Sequence, residues 1–277
     1  MKIAVVTDSS AGLTEDEAKK HHVYVVRMPL MIDGNEFLEE KEITREHFIV
    51  KMKNGALVKT AQPPLGHLVN LFDDLLNDYD NIIYLPISSG LSGSYQTAYS
   101  LAQNYQGKVH VVDTGFVSAP LGLLATWVSE WVFAGDDLET ILNRLDEAYM
   151  WAALIPKDVT YLKRGGRIKP AAAAVANMIK IVPVLKVADG EIDLEAKVRT
   201  QKKAIKKSMD ILLDKFNPED YAWIVLDGAV DENLYDFTVE EMEKRTGETV
   251  LKRPLFPIIM SHTGPGSISI AAVKKLK

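Results

Sequence analysis

Short apolar runs at residues 3–7, 23–26, 82–86 and 109–112 alternate along the first half of the chain with stretches whose apolar positions recur at helical spacing. Runs of four or five apolar residues bounded by turn formers read as strands buried on both faces. Helices inserted between such strands make a mostly parallel sheet wrapped by helices. The helix starts carry their own signals. Thr14 followed by Glu17 is a capping box, Thr44 can cap the next helix, and Asp136 with Glu139 precedes a run whose Leu138, Ile141, Leu142 and Leu145 share one face. Residues 118–133 are apolar around most of the circumference, with Leu121, Leu124, Trp127, Val128 and Trp131 among them. That pattern predicts a helix buried on several sides and suited to the wall of a tunnel.

Beyond about residue 156 the pattern changes. Residues 184–187 and 192–198 flank Asp189-Gly190, a pair that supplies the positive φ angles of a tight turn, so a hairpin is predicted. A helix over 201–216, a strand over 222–226, a helix near 231–245 and strands near Val250 and Ile258 follow. The expectation is an α/β protein of two domains. Residues 1–153 form a mostly parallel sheet wrapped by helices, and residues 154–277 form a second α/β domain with a mixed or antiparallel sheet. No internal repeat interrupts this plan, and the alanines at 171–174 are the one biased tract.

Composition narrows the function more than the fold. A length of 277 residues suits two compact units, and 47% hydrophobic with 25% charged residues is ordinary globular composition. The absence of cysteine excludes disulfides, thiol catalysis and thiolate metal sites. The six histidines form no HExxH, and His21-His22 falls at the end of an amphipathic helix, so no metal is expected. After Lys2 only four apolar residues precede Thr7 and Asp8, too few for a signal-peptide core or a membrane span; the expected location is cytoplasmic. A net charge of −6 argues against nucleic acid as partner. The stretch 157–207 is nonetheless basic, with 13 Lys or Arg against 5 Asp or Glu. The plainer reading of that excess is a solvated helix surface from Lys202 to Lys207.

The candidate chemistry lies in four short motifs. Residues 87–95 read ISSGLSGSY: two glycines and four serines between an apolar strand and a helix-forming stretch that starts at Ser94. That order places backbone N–H groups and hydroxyls at a helix N-terminus, where an anion is favoured. The others are LVKTAQPP at 57–64, LKRGGRIKP at 162–170 and SHTGPG at 261–266. In this combination and order, beginning at Thr7, Asp8, Ser9 and Ser10, the chain resembles the DegV family over nearly its whole length. Members of that family include the fatty acid-binding subunit of bacterial fatty acid kinase. By the resemblance, Thr60 of KTAQP and Ser92 of SGLSGS match the positions that bind a fatty acid carboxylate. The resemblance also implies that Arg167 of the RGGR turn and His262 before GPG lie near the pocket mouth, where a separate ATP-dependent kinase subunit phosphorylates the carboxylate to an acyl phosphate. The segment reads TAQPP where TSQPS is usual in the family, so Ala61 brings no hydroxyl.

The chemistry is coherent with that implication. Burying a methylene is worth about 0.8 kcal/mol, so a tail of about fifteen offers on the order of 12 kcal/mol before ordering costs. The carboxylate taken out of water with it needs charge-assisted hydrogen bonds, which hydroxyls supply without locking it into an ion pair. Such a carrier needs no cofactor, works by presenting its guest, and leaves room for transient contact with a membrane surface.

Two other classes compete. Ser92, Asp113 and His262 occur in the chain order of an α/β-hydrolase, and GLSGS at 90–94 misses the GxSxG elbow by one residue, which reads as a serine esterase. Lys59-Thr60 echoes the end of a P-loop, but Val58 stands where the loop requires glycine. Asp8 with its serines, and Asp113 with Thr114, sit at strand ends and read as helix caps or loop ties.

Overall fold

The computed structural model describes residues 1–170, 174 and 180–276 of the chain. Most of the alanine tract at 171–174 lies outside the described residues. The molecule is α/β, with a parallel sheet in its first half and a mixed sheet in its second.

The first sheet has the order β2-β1-β6-β7, formed by β1 (Ile3–Asp8), β2 (Val23–Val26), β6 (Asn81–Leu85) and β7 (Val109–Val111), every pair parallel. Its strands show no apolar/polar alternation because both faces are covered. Ala4 and Val6 point to one cluster with Leu68, Phe72 and Ala98, from the helices α3 (Leu65–Leu75) and α4 (Ser94–Ala102). Ile3 and Val5 point the other way, to the cluster that includes Leu121, Leu124 and Val128 of α5 (Ala119–Ala134). A small antiparallel sheet, β4-β3-β5, is built from β3 (Pro29–Ile32), β4 (Asn35–Leu38) and β5 (Val58–Thr60). The strand patterns of the sequence did not foretell it.

The second sheet runs β10-β9-β8-β13-β11-β12. It comprises β8 (Met150–Ile155), β9 (Val182–Ala188), β10 (Glu191–Val198), β11 (Tyr221–Gly228), β12 (Val250–Pro254) and β13 (Ser267–Lys274), antiparallel except for the β11/β12 pair. One face carries Trp151, Ala153, Trp223, Val225 and Ile270, covered by Ile205, Met209 and Leu212 of helix 201–215 and Val239 and Met242 of helix 232–246. The opposite face, with Met150, Ala152, Leu154, Leu226 and Val187, belongs to the cluster shared with the first half of the chain. The central cavity therefore opens between the two units.

The Asp189-Gly190 hairpin forms as expected, with φ of 54° and 73°. Its tip abuts the serine-rich turn: a Cβ on Gly90 would lie 2.1 Å from the Gly190 carbonyl oxygen, so only glycine permits the approach.

Two local expectations need correction. Asp137, not Asp136, caps α6 (Leu138–Asp146), accepting the Thr140 N–H at 2.8 Å, while Asp136 pairs with Arg144. Ile258 lies in a helix, Pro257–Thr263, rather than a strand; Pro257 sets the φ of its first turn, and the short apolar run that follows carries no period that separates helix from strand. The strand that completes the sheet is the following one, β13, which lies between β8 and β11.

Candidate functional site

Thr60 is the last residue of β5, paired in register with Leu30, and the Ala61 N–H bonds the Pro29 carbonyl to hold the strand end. Ser92 sits in the turn between β6 and α4. There the Ser92 N–H donates to the Ser88 carbonyl, and its Oγ accepts the Ser94 N–H at 3.2 Å and shares a 2.9 Å hydrogen bond with Ser94 Oγ. Two carboxylates tie this turn from beneath. Asp8 accepts the N–H groups of Ile87 and Ser10, and Asp113 those of Ser89 and Gly115. Both aspartates thus serve as caps and ties, as their strand-end positions suggested.

The RGGR segment closes a short helix, Thr160–Gly165, with Gly166 in the left-handed conformation at φ 68°. The chain then returns so that Arg167 Nε donates to the Leu91 carbonyl at 3.2 Å, next to Ser92. Gly165 makes room for the histidine: a Cβ there would sit 2.4 Å from His262 Nδ1. His262, near the C-terminus of helix Pro257–Thr263, shares a hydrogen bond of 2.9 Å between its Nε2 and Thr60 Oγ1. Its Nδ1 is buried with no hydrogen-bond partner among the described residues. Burial, reinforced by the Arg167 guanidinium, pushes the imidazole down to about 4, so it is neutral at pH 7.

Thr60, Ser92, Arg167 and His262 all line one cavity. Counting the solvent at its mouth, it encloses about 900 Å³, within the range of small-molecule sites. Its walls are apolar, with Met150, Ala152 and Leu154 from alternate positions of β8, Val187, Ile192 and Leu226 from neighbouring strands, and Ile258 and Ile259. The polar groups converge, because Thr60 bonds His262, Arg167 bonds the turn that carries Ser92, and Thr97 at the start of α4 donates to Gln62, two residues past Thr60. The predicted tunnel-wall helix contributes only its entry, Ser118 and Pro120 with the preceding Val117; the rest packs against the sheet and the helices around it.

The esterase reading fails on this geometry. Ser92 bonds Ser94 rather than His262, His262 bonds Thr60, and Asp113 is engaged with two backbone amides of the turn. The P-loop reading fails as well, because Lys59-Thr60 ends a strand instead of leading from a loop into a helix. No cluster of potential metal ligands occurs among the described residues. Gln62, two residues past the recognised threonine, was passed over by sequence reasoning, which weighed Lys59 only as the lysine of a P-loop. Glu39 was missed because nothing local marks it: its carboxylate accepts the Ile258 N–H from 219 residues away.

Fold and site together define a two-domain α/β protein whose apolar interdomain cavity ends in a hydroxyl and imidazole cluster. A family model described as "Uncharacterised protein, DegV family" matches residues 2–275. A DegV domain-containing protein of Streptococcus pneumoniae is 32% identical over 279 residues, covering 99% of each chain, and one of Staphylococcus aureus is 33% identical, covering 99% of this chain and 98% of the other. The chain belongs to the DegV family. Among solved structures, the fatty acid binding DegV family protein SAG1342 of Streptococcus agalactiae superimposes with a TM-score of 0.90 at 27% identity, covering 99% of each chain. DegV of Bacillus subtilis, described as a fatty acid binding protein, gives 0.88 at 27% identity over 99% of this chain and 100% of its own.

Proposed function

We propose that this chain binds one long-chain fatty acid in the interdomain cavity, holds its carboxylate with Thr60 and Ser92, and presents it to a separate ATP-dependent kinase subunit. The observation that carries the reading is the pairing of a cavity walled by aliphatic side chains with a polar cluster containing no carboxylate among its described lining residues. The fatty acid binding described for the structural relatives supports it.

The neutral imidazole gives the cluster its polarity. An unpartnered Nδ1 lone pair costs less than an unpartnered N–H, which favours the tautomer with the proton on Nε2. Nε2–H then donates to Thr60 Oγ1, and the threonine hydroxyl is free to donate its own proton to a carboxylate oxygen. Ser92 supplies a second donor, and the Arg167 guanidinium adds positive potential without a direct ion pair to the guest. A carboxylate held this way keeps an oxygen lone pair for attack on the γ-phosphorus of a nucleoside triphosphate supplied by the partner. The new bond is carboxylate O–P, the bond broken is that to the nucleoside diphosphate, and the product is an acyl phosphate. His262 and Arg167 stand at the rim where that exchange takes place.

Organic extraction and mass spectrometry of purified protein tests the carrier reading. A near-stoichiometric long-chain fatty acid is expected in the wild type. Each missing hydrogen bond to a charged group is worth roughly 1.5–3 kcal/mol, so Thr60→Val with Ser92→Ala should weaken binding by at least about tenfold. Extracts free of any aliphatic acid, together with no binding of added palmitate, would reject the reading. Acyl phosphate formation in a mixture of loaded protein, kinase subunit and ATP, absent without any one of them, tests the partner.

A further inference from the structure

A second cavity, of about 830 Å³ with its open space counted, lies on the other side of the Thr60–His262 pair. Thr60, Arg167 and His262 line both cavities and so form the partition between them. The two spaces differ in charge: Lys59 and Arg164 line the second and not the first. The second one has an apolar side formed by Met52, Ala56, Leu57 and Val58, and a polar side formed by Lys59, Arg164 and Arg167 with Tyr161, Ser261 and the RGGR turn at Gly165; no carboxylate lines it among the described residues. Lys59 and Arg164 are exposed and reach it from different elements, the edge strand β5 and the helix Thr160–Gly165. Arg164 lies with its guanidinium 5.9 Å from the centre of the Tyr161 ring, which limits its orientations. The buried, unpartnered Nδ1 of His262 is turned toward Gly165, another lining residue of the same space. A cleft lined by three cations and no anion concentrates negative charge; the planar fork of Arg164 can donate in pairs to a tetrahedral oxyanion, while Arg167, whose Nε and Nη1 already donate to the Leu91 and Gly165 carbonyls, adds its positive potential.

We infer that this outer cavity is a phosphate-binding vestibule, in which Lys59 and Arg164, with Arg167, hold a terminal phosphate group against the outer side of the Thr60–His262 partition. The inference rests on the carrier reading for its meaning but not for its test. The phosphate belongs either to the phosphorylated guest, its tail in the apolar cavity, or to a free polyphosphate that enters without a tail. Neither source changes the recognition chemistry: a dianion met by donors from Lys59 and Arg164 and by the charge of Arg167.

Binding of three probes to the full chain and to Lys59→Gln/Arg164→Gln, measured by calorimetry, tests it, with Lys207→Gln as a control for the loss of surface charge. The probes are palmitate, hexadecylphosphonate and tripolyphosphate. The double variant should bind hexadecylphosphonate at least about tenfold more weakly than wild type while its palmitate affinity changes by less than about threefold. Tripolyphosphate binding that is lost in the double variant assigns the vestibule to a free polyphosphate. Loss confined to the phosphonate assigns it to the phosphorylated guest. Unchanged affinity for both phosphate probes in the double variant, or an equal loss in Lys207→Gln, overturns the inference. Should wild type fail to bind palmitate, the carrier reading falls while the tripolyphosphate arm still decides the vestibule.

Discussion

Glu39 shows how a single buried group sets a pH dependence. Its side chain is fully buried, one carboxylate oxygen accepts the Ile258 N–H at the start of the helix that carries His262, and the other has no partner among the described residues. The groups facing it are Arg27, whose guanidinium pairs with Glu40 at 2.6 Å, and Glu40 itself. Burial outweighs the Arg27 charge and pushes the Glu39 carboxyl up to about 7 from an ordinary value of 4.5. Between those values the folded chain holds a proton that the unfolded chain has released, so this group's contribution is fully present below about pH 4.5 and is lost as pH rises through 7. Glu39→Gln should remove that slope and raise stability above pH 7, relative to wild type, by up to about 3 kcal/mol. Denaturant unfolding of both proteins at pH 5 and pH 8 checks it; identical pH dependence in the two would count against the assignment. None of this was legible locally, whereas Thr60 and Ser92 were, because short motifs mark them and no motif surrounds Glu39.

Among the elements, the hairpin of β9 and β10 joins the two halves of the molecule at the serine-rich turn. Gly90 and Gly190 meet there backbone to backbone, with Gly115 close by. Gly90→Ala would force a methyl group onto the Gly190 carbonyl and should destabilise the protein by about 1–3 kcal/mol, read as a lowered denaturation midpoint. No change in midpoint would mean that the turn yields at little cost. The hairpin itself was readable from Asp189-Gly190, and the capping box of Thr14 and Glu17 forms as its spacing requires. The misread elements share a physical cause. The apolar run at Ile258 and the strand β13 are largely buried, so neither shows the polar face whose period separates helix from strand. The small sheet of β3 to β5 escaped because no residue of β4 is buried and β5 is three residues long, pairing with a strand that lies well before it in sequence.

For the whole molecule, the cavity exists because the mixed sheet has helices on one face and turns its other face toward the first domain. Ala152 sits on that open face among larger neighbours. Ala152→Trp should fill the cavity and abolish retention of a fatty acid, read by extraction and mass spectrometry, while far-ultraviolet circular dichroism stays native. Full retention of the lipid in a folded variant would place the guest elsewhere. By itself the sequence determined the α/β class, the hairpin, most helix starts and the short motifs that carry Thr60, Ser92, Arg167 and His262, four residues that line the cavity, because these depend on side-chain periodicity, turn conformation and motifs a few residues long. Only the tertiary structure decided that His262 binds Thr60 rather than Ser92, that the long apolar helix lends the cavity just its first turn, and that a basic space lies behind the partition. Those outcomes depend on which distant strands become neighbours, and a local pattern carries no record of that pairing.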